Sequence, residues 1–175
     1  MKLLPTLSWN GNCLTLLNQT LLPTQIEYLT CDDYPAVAQA IAELKVRGAP
    51  AIGIAAAFAI VLGARKLIAT VSTREEFYCR LDYIAEQLRQ TRPTAINLSW
   101  AIDRMLTTAN REPASCSLGQ IVTRLEREAI AIAAEDKEVN RKISANGASL
   151  FTAPLSVLTH CNAGALATSA YGTAL

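Results

Sequence analysis

The fold is decided by residues 46–64, VRGAPAIGIAAAFAIVLGA, of which the last sixteen carry no charged side chain. A helix that spans a bilayer needs about 20 consecutive apolar residues, whereas this stretch is shorter and is interrupted by Gly53 and Gly63. Pro50 suits the first turn of a helix, where its missing N–H costs nothing. The stretch therefore predicts a helix that is buried on all sides within the protein, and no contact with a membrane.

The composition around this helix is that of a folded chain of 175 residues. At about 150 residues per domain, this length corresponds to one full domain and a remainder. Apolar residues make up 51% and charged residues 18%, which excludes global disorder. Sixteen basic and fifteen acidic residues give a net charge of +1, which excludes a dedicated nucleic-acid binder. Alanine at 29 positions favours closely packed helices over a β-sandwich.

The cysteines and the single histidine fit neither a disulfide framework nor a zinc site. The five cysteines are irregularly spaced and form no CxxC pair: Cys13, Cys31, Cys79, Cys116 and Cys161. Pro5 interrupts the first apolar residues too early for them to form the apolar region of a secretory signal. We therefore expect a cytoplasmic protein that binds no metal.

Turn signals and apolar periodicity divide residues 1–150 into strands followed by helices. Residues 1–30 contain short apolar runs separated by turn residues, a pattern typical of strands. From Asp33 to Gly147 the apolar spacing is helical, with capping residues or prolines at the breaks. We predict a small β element and a mostly helical domain over residues 1–150.

The character of the sequence changes after residue 150. Residues 154–159, PLSVLT, predict a short buried strand, residues 160–164 predict a turn, and a helix is predicted from Ala165 onward. A strand, a turn and a helix in this order open an α/β domain. We therefore predict an α/β protein overall, in which residues 151–175 are the first β-α unit of a Rossmann-like domain that continues beyond this sequence.

Three places have residues that can carry chemistry, and the first is Arg47-Gly48-Ala49-Pro50 at the start of the apolar helix. The free N–H groups and the positive dipole of a helix start, together with the charge of Arg47, would form a phosphate site. The alternative is architectural: Gly48 ends one helix and Pro50 begins the next. By spacing alone the architectural interpretation is favoured, because most such glycines and prolines only punctuate the chain.

The second place is Arg92 in the loop Thr91-Arg92-Pro93-Thr94. A guanidinium suits bidentate phosphate recognition, and the proline would hold the loop stiff. Arg92 would equally well cap the preceding helix or pair with an acidic neighbour. The sequence leaves these two interpretations open.

The third place is Cys161, between the predicted strand and the predicted helix. Open α/β sheets bind ligands at this position, and the positive end of a helix favours the thiolate form of a cysteine. A buried structural cysteine is the alternative, and it is the interpretation we give to the other four. His160 precedes Cys161 on an extended segment, so its side chain should point the opposite way and have a structural role.

Three motifs occur in one order along the chain: VRGAPAIG at 46–53, TRPTAINL at 91–98 and THCNAGALAT at 159–168. Together they resemble the methylthioribose-1-phosphate isomerases of methionine salvage, a family related to the regulatory subunits of the initiation-factor guanine-nucleotide exchange complex. The resemblance covers essentially all 175 residues, but only the front half of the family's longer chain. One departure is Ala163, where the family usually has threonine, and this change would remove one hydrogen bond near the substrate.

The resemblance implies an aldose–ketose isomerisation of 5-methylthioribose 1-phosphate to 5-methylthioribulose 1-phosphate, without a metal or nucleotide cofactor. By the family pattern, Cys161 is one member of the acid–base pair, and the substrate contacts are Arg47, Gly48, Ala49 and Arg92. The partner aspartate would lie in the second domain, so residues 1–175 alone should be inactive. The resemblance also implies a homodimer when the protein is complete, with a small sugar phosphate as its ligand.

Two alternatives stay open at this stage. Ribose-1,5-bisphosphate isomerases share the same reaction logic, and a non-catalytic regulatory subunit would keep the fold and bind a sugar phosphate or a nucleotide. Cys161 together with Arg47, Gly48 and Ala49 favours an enzyme, because a pure binding subunit does not need a reactive thiol.

Overall fold

The computed structural model describes residues 4–153 and 156–172. Three strands come first: β1 (Leu7–Trp9), β2 (Leu14–Leu17) and β3 (Tyr28–Cys31). Five α-helices follow, α1 (Tyr34–Ala42), α2 (Ala49–Ile68), α3 (Arg74–Thr91), α4 (Ile96–Asn110) and α5 (Leu118–Ala148), before a 3-10 turn at Ala165–Ala167. The prediction of a mixed α/β chain, mostly helical with a small sheet near its start, is confirmed.

The three strands form an antiparallel meander in the order β1-β2-β3. Leu14, Leu16 and Leu17 of the central strand are fully buried. Because consecutive side chains of a strand point to opposite faces, burial of both Leu16 and Leu17 means that this end of the sheet is covered on both sides. The chain leaves this covered end through Gln19, which is itself buried.

Helix α2 is the centre of the fold. It contacts the other four helices and β1, and fifteen of its 20 residues are buried. By length and composition it could cross a bilayer, yet 83% of its most apolar window is buried inside the protein. The surrounding helices therefore explain its apolar sequence, and the predicted buried helix is confirmed.

Small side chains let the neighbouring helices approach α2 closely. A side-chain carbon at Gly53 would lie 2.7 Å from the carbonyl oxygen of Asn97 in α4, and one at Gly63 would lie 2.8 Å from Cδ1 of Ile84 in α3. Alanines 55–57 of the same helix are fully buried. Because protein interiors are close-packed, a larger residue at Gly53 would have to displace the backbone of α4, and one at Gly63 would have to displace the Ile84 side chain.

Charged side chains join α4 to α5 near the surface. The Arg104 guanidinium donates to the Glu128 carboxylate and, with two N–H groups, to the Glu135 carboxylate. It also lies 5.4 Å from the centre of the Trp100 ring. The hydrogen bonds from Arg104, aided by its charge, hold the pKa of the Glu135 carboxyl below its usual value. The two parallel hydrogen bonds between Arg104 and Glu135 fix the orientation of the guanidinium relative to the carboxylate as well as the distance between them.

The terminal segment, residues 156–172, differs from the prediction. Pro154 and Leu155, the first two residues of the predicted strand, lie outside the described residues. Residues 156–160 contain no strand, and in the described part of the terminal segment the helix predicted from Ala165 is only a three-residue 3-10 turn. A strand needs hydrogen bonds to a neighbouring strand, and the three-stranded meander does not include this segment. The predicted strand is therefore wrong for residues 156–159 and the predicted helix is wrong for residues 165–172, whereas the chain does turn within residues 160–164, with a positive φ at Cys161 and Gly164.

Candidate functional site

Two of the predicted site residues, Arg47 and Cys161, line one cleft of about 360 Å³, which we call the Arg47–Cys161 cleft. The loop between α1 and α2 supplies Arg47 to one wall, and the turn 161–167 supplies the other wall. The residues that line the cleft are Gln19, Leu22, Arg47, Cys161, Asn162, Ala163, Leu166 and Ala167.

The side chain of Arg47 is held by its own loop. Its Nε donates a hydrogen bond to the carbonyl oxygen of Leu44, 3.1 Å away. Leu44 has a left-handed backbone (φ +60°) that turns the chain after α1. Among the described residues Arg47 forms no ion pair, so its charge is available to an anion. A phosphate can accept two of the guanidinium N–H groups.

Gly48 brings the Arg47 loop against the opposite wall of the cleft. Its backbone has φ +88°, which L side chains rarely adopt, and a Cβ at this position would overlap the backbone of Ala167. Ala49 is the exposed first residue of α2, so the positive end of the helix dipole lies at this loop. Pro50 lies in the first turn of α2, as the architectural interpretation requires, but α1 already ends at Ala42, so Gly48 is the N-cap of α2 and does not end the preceding helix. The same geometry brings Arg47 to the cleft.

Cys161 is exposed and has a left-handed backbone with φ +60°. The alternative of a buried structural cysteine therefore does not hold for Cys161, nor for Cys79, which is also exposed. The α-helix start that was expected after Cys161 is not found in residues 162–172 either. Within the described residues, the helical element that follows Cys161 is the short 3-10 turn Ala165–Ala167.

His160 and Cys161 face different cavities. His160 lines a separate cavity of about 510 Å³, together with side chains from the end of α5 such as Ile143 and Phe151. The two side chains face different cavities although Cys161 has a left-handed and not an extended backbone, so the alternation of an extended segment is not the cause. The expectation that His160 faces away from Cys161 is therefore met.

Arg92 lies apart from the cleft. Helix α3 ends at Thr91, and Arg92 has an extended backbone (φ −148°) before Pro93, as a residue preceding proline should. The Arg92 side chain is half-buried and is not among the described residues that line the Arg47–Cys161 cleft. The structure brings Arg47 and Cys161 together without Arg92.

Two buried polar side chains, which the sequence analysis missed, fasten the 3-10 turn to the meander. The Thr6 hydroxyl donates to the carbonyl oxygen of Ala165 at 2.7 Å. The Gln19 side-chain Nε2 donates to the carbonyl oxygen of Leu166 at 2.8 Å. Gln19 and Leu166 are 147 positions apart in the sequence, so no local pattern identifies either contact.

The charge of the Arg47–Cys161 cleft is one-sided. Arg47 is cationic, and no acidic side chain lines the cleft among the described residues. The described part of the chain also has no group of three histidine, cysteine or acidic residues that could hold a metal ion. The lining of the cleft is therefore compatible with an anion beside a thiol, and the described residues that form it supply no carboxylate to pair with that thiol.

The fold and this cleft together define a class of protein. In the described residues an antiparallel meander precedes five α-helices, and a loop arginine and a thiol line one cleft that suits an anion. A model of the Initiation factor 2 subunit family matches residues 45–174, a range that contains both of these residues. The chain belongs to the Initiation factor 2 subunit family.

Proteins named methylthioribose-1-phosphate isomerase are similar over almost the whole chain. That of Fervidobacterium nodosum is 48% identical over 170 residues, which are 97% of this chain and 48% of that protein. That of Desulforamulus reducens is 50% identical over 167 residues, which are 95% of this chain and 47% of that protein. This chain therefore spans about half the length of these curated relatives.

Solved structures show the same likeness. The crystal structure of 5-methylthioribose 1-phosphate isomerase from Pyrococcus horikoshii matches with a TM-score of 0.87 and 38% identity, over 98% of this chain and 47% of that one. The crystal structure of the translation initiation factor eIF-2B, subunit delta, from A. fulgidus matches with a TM-score of 0.82 and 38% identity. The match covers 97% of this chain and 48% of that one. The fold alone therefore does not separate an isomerase from an initiation-factor subunit.

Proposed function

We propose that this chain supplies the amino-terminal half of a methylthioribose-1-phosphate isomerase, which converts 5-methylthioribose 1-phosphate to 5-methylthioribulose 1-phosphate. The observation that carries the proposal is the shared cleft, in which Arg47 and the exposed Cys161 line the same cavity. The 48% and 50% identity to relatives of that name supports the same activity.

The reaction needs a clamp for the phosphate and an acid–base pair. The phosphate on C1 prevents spontaneous opening of the furanose ring, so the enzyme must assist ring opening before hydrogen moves from C2 to C1. In our proposal Arg47 binds the phosphate dianion, and Cys161 exchanges a proton with the sugar as one member of the pair. The other member, a carboxylate, belongs to the second half of the protein, and no metal or nucleotide takes part.

The remaining parts of the proposal concern the complete protein. Gly48 and Ala49 contact the substrate beside Arg47, and Arg92 is a further contact, although none of these three residues lines the described cleft. The terminal segment leads into a Rossmann-like second domain that begins near residue 151, and the complete protein is a cytoplasmic homodimer. Within it, we expect Arg92→Ala to raise KM more than it lowers kcat, which steady-state kinetics would measure.

A non-catalytic subunit is the second candidate function, because an initiation-factor subunit matches this chain with the same 38% identity as the isomerase structure. Such a subunit would bind a sugar phosphate or a nucleotide without converting it. A ribose-1,5-bisphosphate isomerase would differ only in its substrate. The exposed Cys161 beside Arg47 favours an enzyme over a binding subunit.

Turnover of two substrates separates these candidates. We expect the complete protein to convert methylthioribose 1-phosphate but not ribose 1,5-bisphosphate, as followed by NMR of the product ketose. The reverse preference would make it the other isomerase, and turnover of neither would make it a binding subunit. Residues 1–175 alone should turn over neither, because the carboxylate partner is missing.

The role of Cys161 is tested by Cys161→Ser in the complete protein. Loss of the thiol should lower kcat far more than it raises KM, because a proton transfer fails while binding remains. Cys79→Ser is the matched control, since Cys79 is also exposed but lies on α3. If kcat of the Cys161→Ser variant stays within a few-fold of the control, Cys161 is not part of the acid–base pair.

A further inference from the structure

We infer that Gln19 is a positioning residue of the proposed active site, where its side chain fixes the turn that carries Cys161 against the loop that carries Arg47. This inference rests on the proposed function. Gln19 is 7% exposed and lines the Arg47–Cys161 cleft. The large majority of buried polar side chains are hydrogen-bonded, and Gln19 follows this rule.

Gln19 is bonded to both walls of the cleft. Its backbone N–H donates to the carbonyl oxygen of Lys45 at 2.9 Å, two residues before Arg47. Its side-chain Nε2 donates to the carbonyl oxygen of Leu166 at 2.8 Å, in the opposite wall. A substitution of the side chain therefore releases the Cys161 wall while the backbone bond to the Arg47 wall remains.

The Cys161 wall depends on such bonds because regular structure does not hold it. Residues 156–162 are all exposed, and the backbone has a positive φ at both Cys161 and Gly164. The nearest regular element is the 3-10 turn Ala165–Ala167, whose Leu166 carbonyl Gln19 binds. A misplacement of about 1 Å between reacting groups can cost about 100-fold in rate.

Thr6 provides the matched control. Its hydroxyl binds the neighbouring carbonyl, that of Ala165, at 2.7 Å, and the residue is 1% exposed. Thr6 is not among the described residues that line the cleft. Both side chains bind the same turn, whereas Gln19 is also bonded to the Arg47 wall and lines the cleft. Comparison of the two variants therefore separates attachment of the turn to the meander from positioning across the cleft.

The test compares Gln19→Met, Thr6→Val and the unmodified protein, each at full length. The first readout is kcat and KM with methylthioribose 1-phosphate. The second is the rate at which iodoacetamide alkylates Cys161, with and without inorganic phosphate. Peptide-resolved mass spectrometry separates Cys161 from Cys79, whose exposed thiol is the internal reference.

We expect Gln19→Met to lower kcat about 100-fold, with a change in KM of less than about threefold because Arg47 still binds the phosphate. Phosphate should slow the alkylation of Cys161 in the unmodified protein and in Thr6→Val, but not in Gln19→Met. If Gln19→Met retains the kcat and the phosphate protection of Thr6→Val, the inference is overturned.

The two readouts keep the inference separate from the proposed function. If the unmodified protein shows phosphate protection but no turnover, the proposed function fails, and the alkylation rates still decide the role of Gln19. If Gln19→Met loses the circular dichroism of the folded protein, Gln19→Asn replaces it, because its amide is one methylene too short to reach Leu166. The same kcat and alkylation results then support or overturn the inference.

Discussion

The helical body, residues 34–148, and the terminal segment, residues 156–172, are stabilised in different ways. The body consists of five helices around the buried helix α2. The terminal segment begins with seven exposed residues, 156–162, among them Leu158, which is 99% exposed. Hydrogen bonds attach its later part to the rest of the protein, for example the bond of 2.7 Å from the Ser169 N–H to the Asp136 carboxylate.

The candidate site lies where these two regions meet. Arg47 comes from the helical body and Cys161 from the terminal segment. Burial of apolar surface gives the body its stability, whereas a few directional bonds set the position of the thiol. Substitutions in the helical body should therefore mainly lower the free energy of unfolding. Substitutions at the contact between the two regions should mainly alter the candidate site.

The largest effect on stability should come from the core of the helical body. Phe58 is 2% exposed and stacks on Trp9 with ring centres 4.8 Å apart. We expect Phe58→Ala to lower the free energy of unfolding by about 3–5 kcal/mol, because it leaves a cavity in a packed core. Urea unfolding followed by circular dichroism measures this. Tyr83→Ala is the control, because Tyr83 is exposed and its loss should cost less than about 1 kcal/mol. A loss as small as this for Phe58→Ala would show that Phe58 is not part of a packed core.

The contact between the two regions is tested at Gly48. Gly48→Ala should cost about 1–3 kcal/mol, because alanine rarely adopts the backbone conformation found there. Its methyl group would also overlap Ala167 and displace the turn, so phosphate should no longer protect Cys161 from alkylation. Gly147→Ala in α5 is the control, because no neighbouring atom lies within 4 Å of its added carbon. Unchanged protection in Gly48→Ala would show that the two regions are not coupled there.

A smaller, pH-dependent effect is expected at the start of the helical body. Asp33 caps α1 by accepting the Ala36 N–H at 2.9 Å, and this bond lowers the pKa of the Asp33 carboxyl. Asp33→Ala should cost about 1 kcal/mol at neutral pH. Because the folded-state pKa is lowered, this contribution is present above the unfolded-state pKa and is lost as the pH falls through the folded-state pKa. Urea unfolding at several pH values measures the cost, and a cost that does not diminish in acid would contradict the role of the charge.

The smallest effect should come from the exposed part of the terminal segment. Leu158→Ser should change the free energy of unfolding by no more than about 0.5 kcal/mol, because Leu158 packs against almost nothing. Thermal unfolding of residues 1–175 with and without the substitution measures this. A loss above about 1 kcal/mol would mean that the terminal segment shares the core of the helical body, and the comparison between the two regions would fail.

The sequence predicted the helical body well because its signals are local. The uncharged run from Ala49 and the placement of Pro50 are visible within a few turns of α2, and the structure agrees. A strand was predicted wrongly for residues 156–159 because PLSVLT satisfies the local rules for a strand, whereas a strand also needs a partner strand. The bond from Gln19 to Leu166 joins residues 147 positions apart, so no periodicity identifies it.

The candidate site was predictable in part for the same reason. The motifs around Arg47 and Cys161 mark both residues, but only the folded chain brings them to one cleft. Arg92 carries an equally visible motif, and the described cleft does not include it. Motifs therefore identify reactive residue types, whereas tertiary packing decides which of them act together.

In our proposal, Arg47 and Cys161 contact the same bound ligand. The most direct test of this proposal is the alkylation rate of Cys161 in the complete protein, with and without saturating methylthioribose 1-phosphate, measured in the unmodified protein and in Arg47→Ala. We expect the sugar phosphate to slow alkylation of Cys161, but not of Cys79, and we expect Arg47→Ala to remove this protection at the same ligand concentration. Equal alkylation rates of Cys161 with and without the sugar phosphate in the unmodified protein would contradict the proposal.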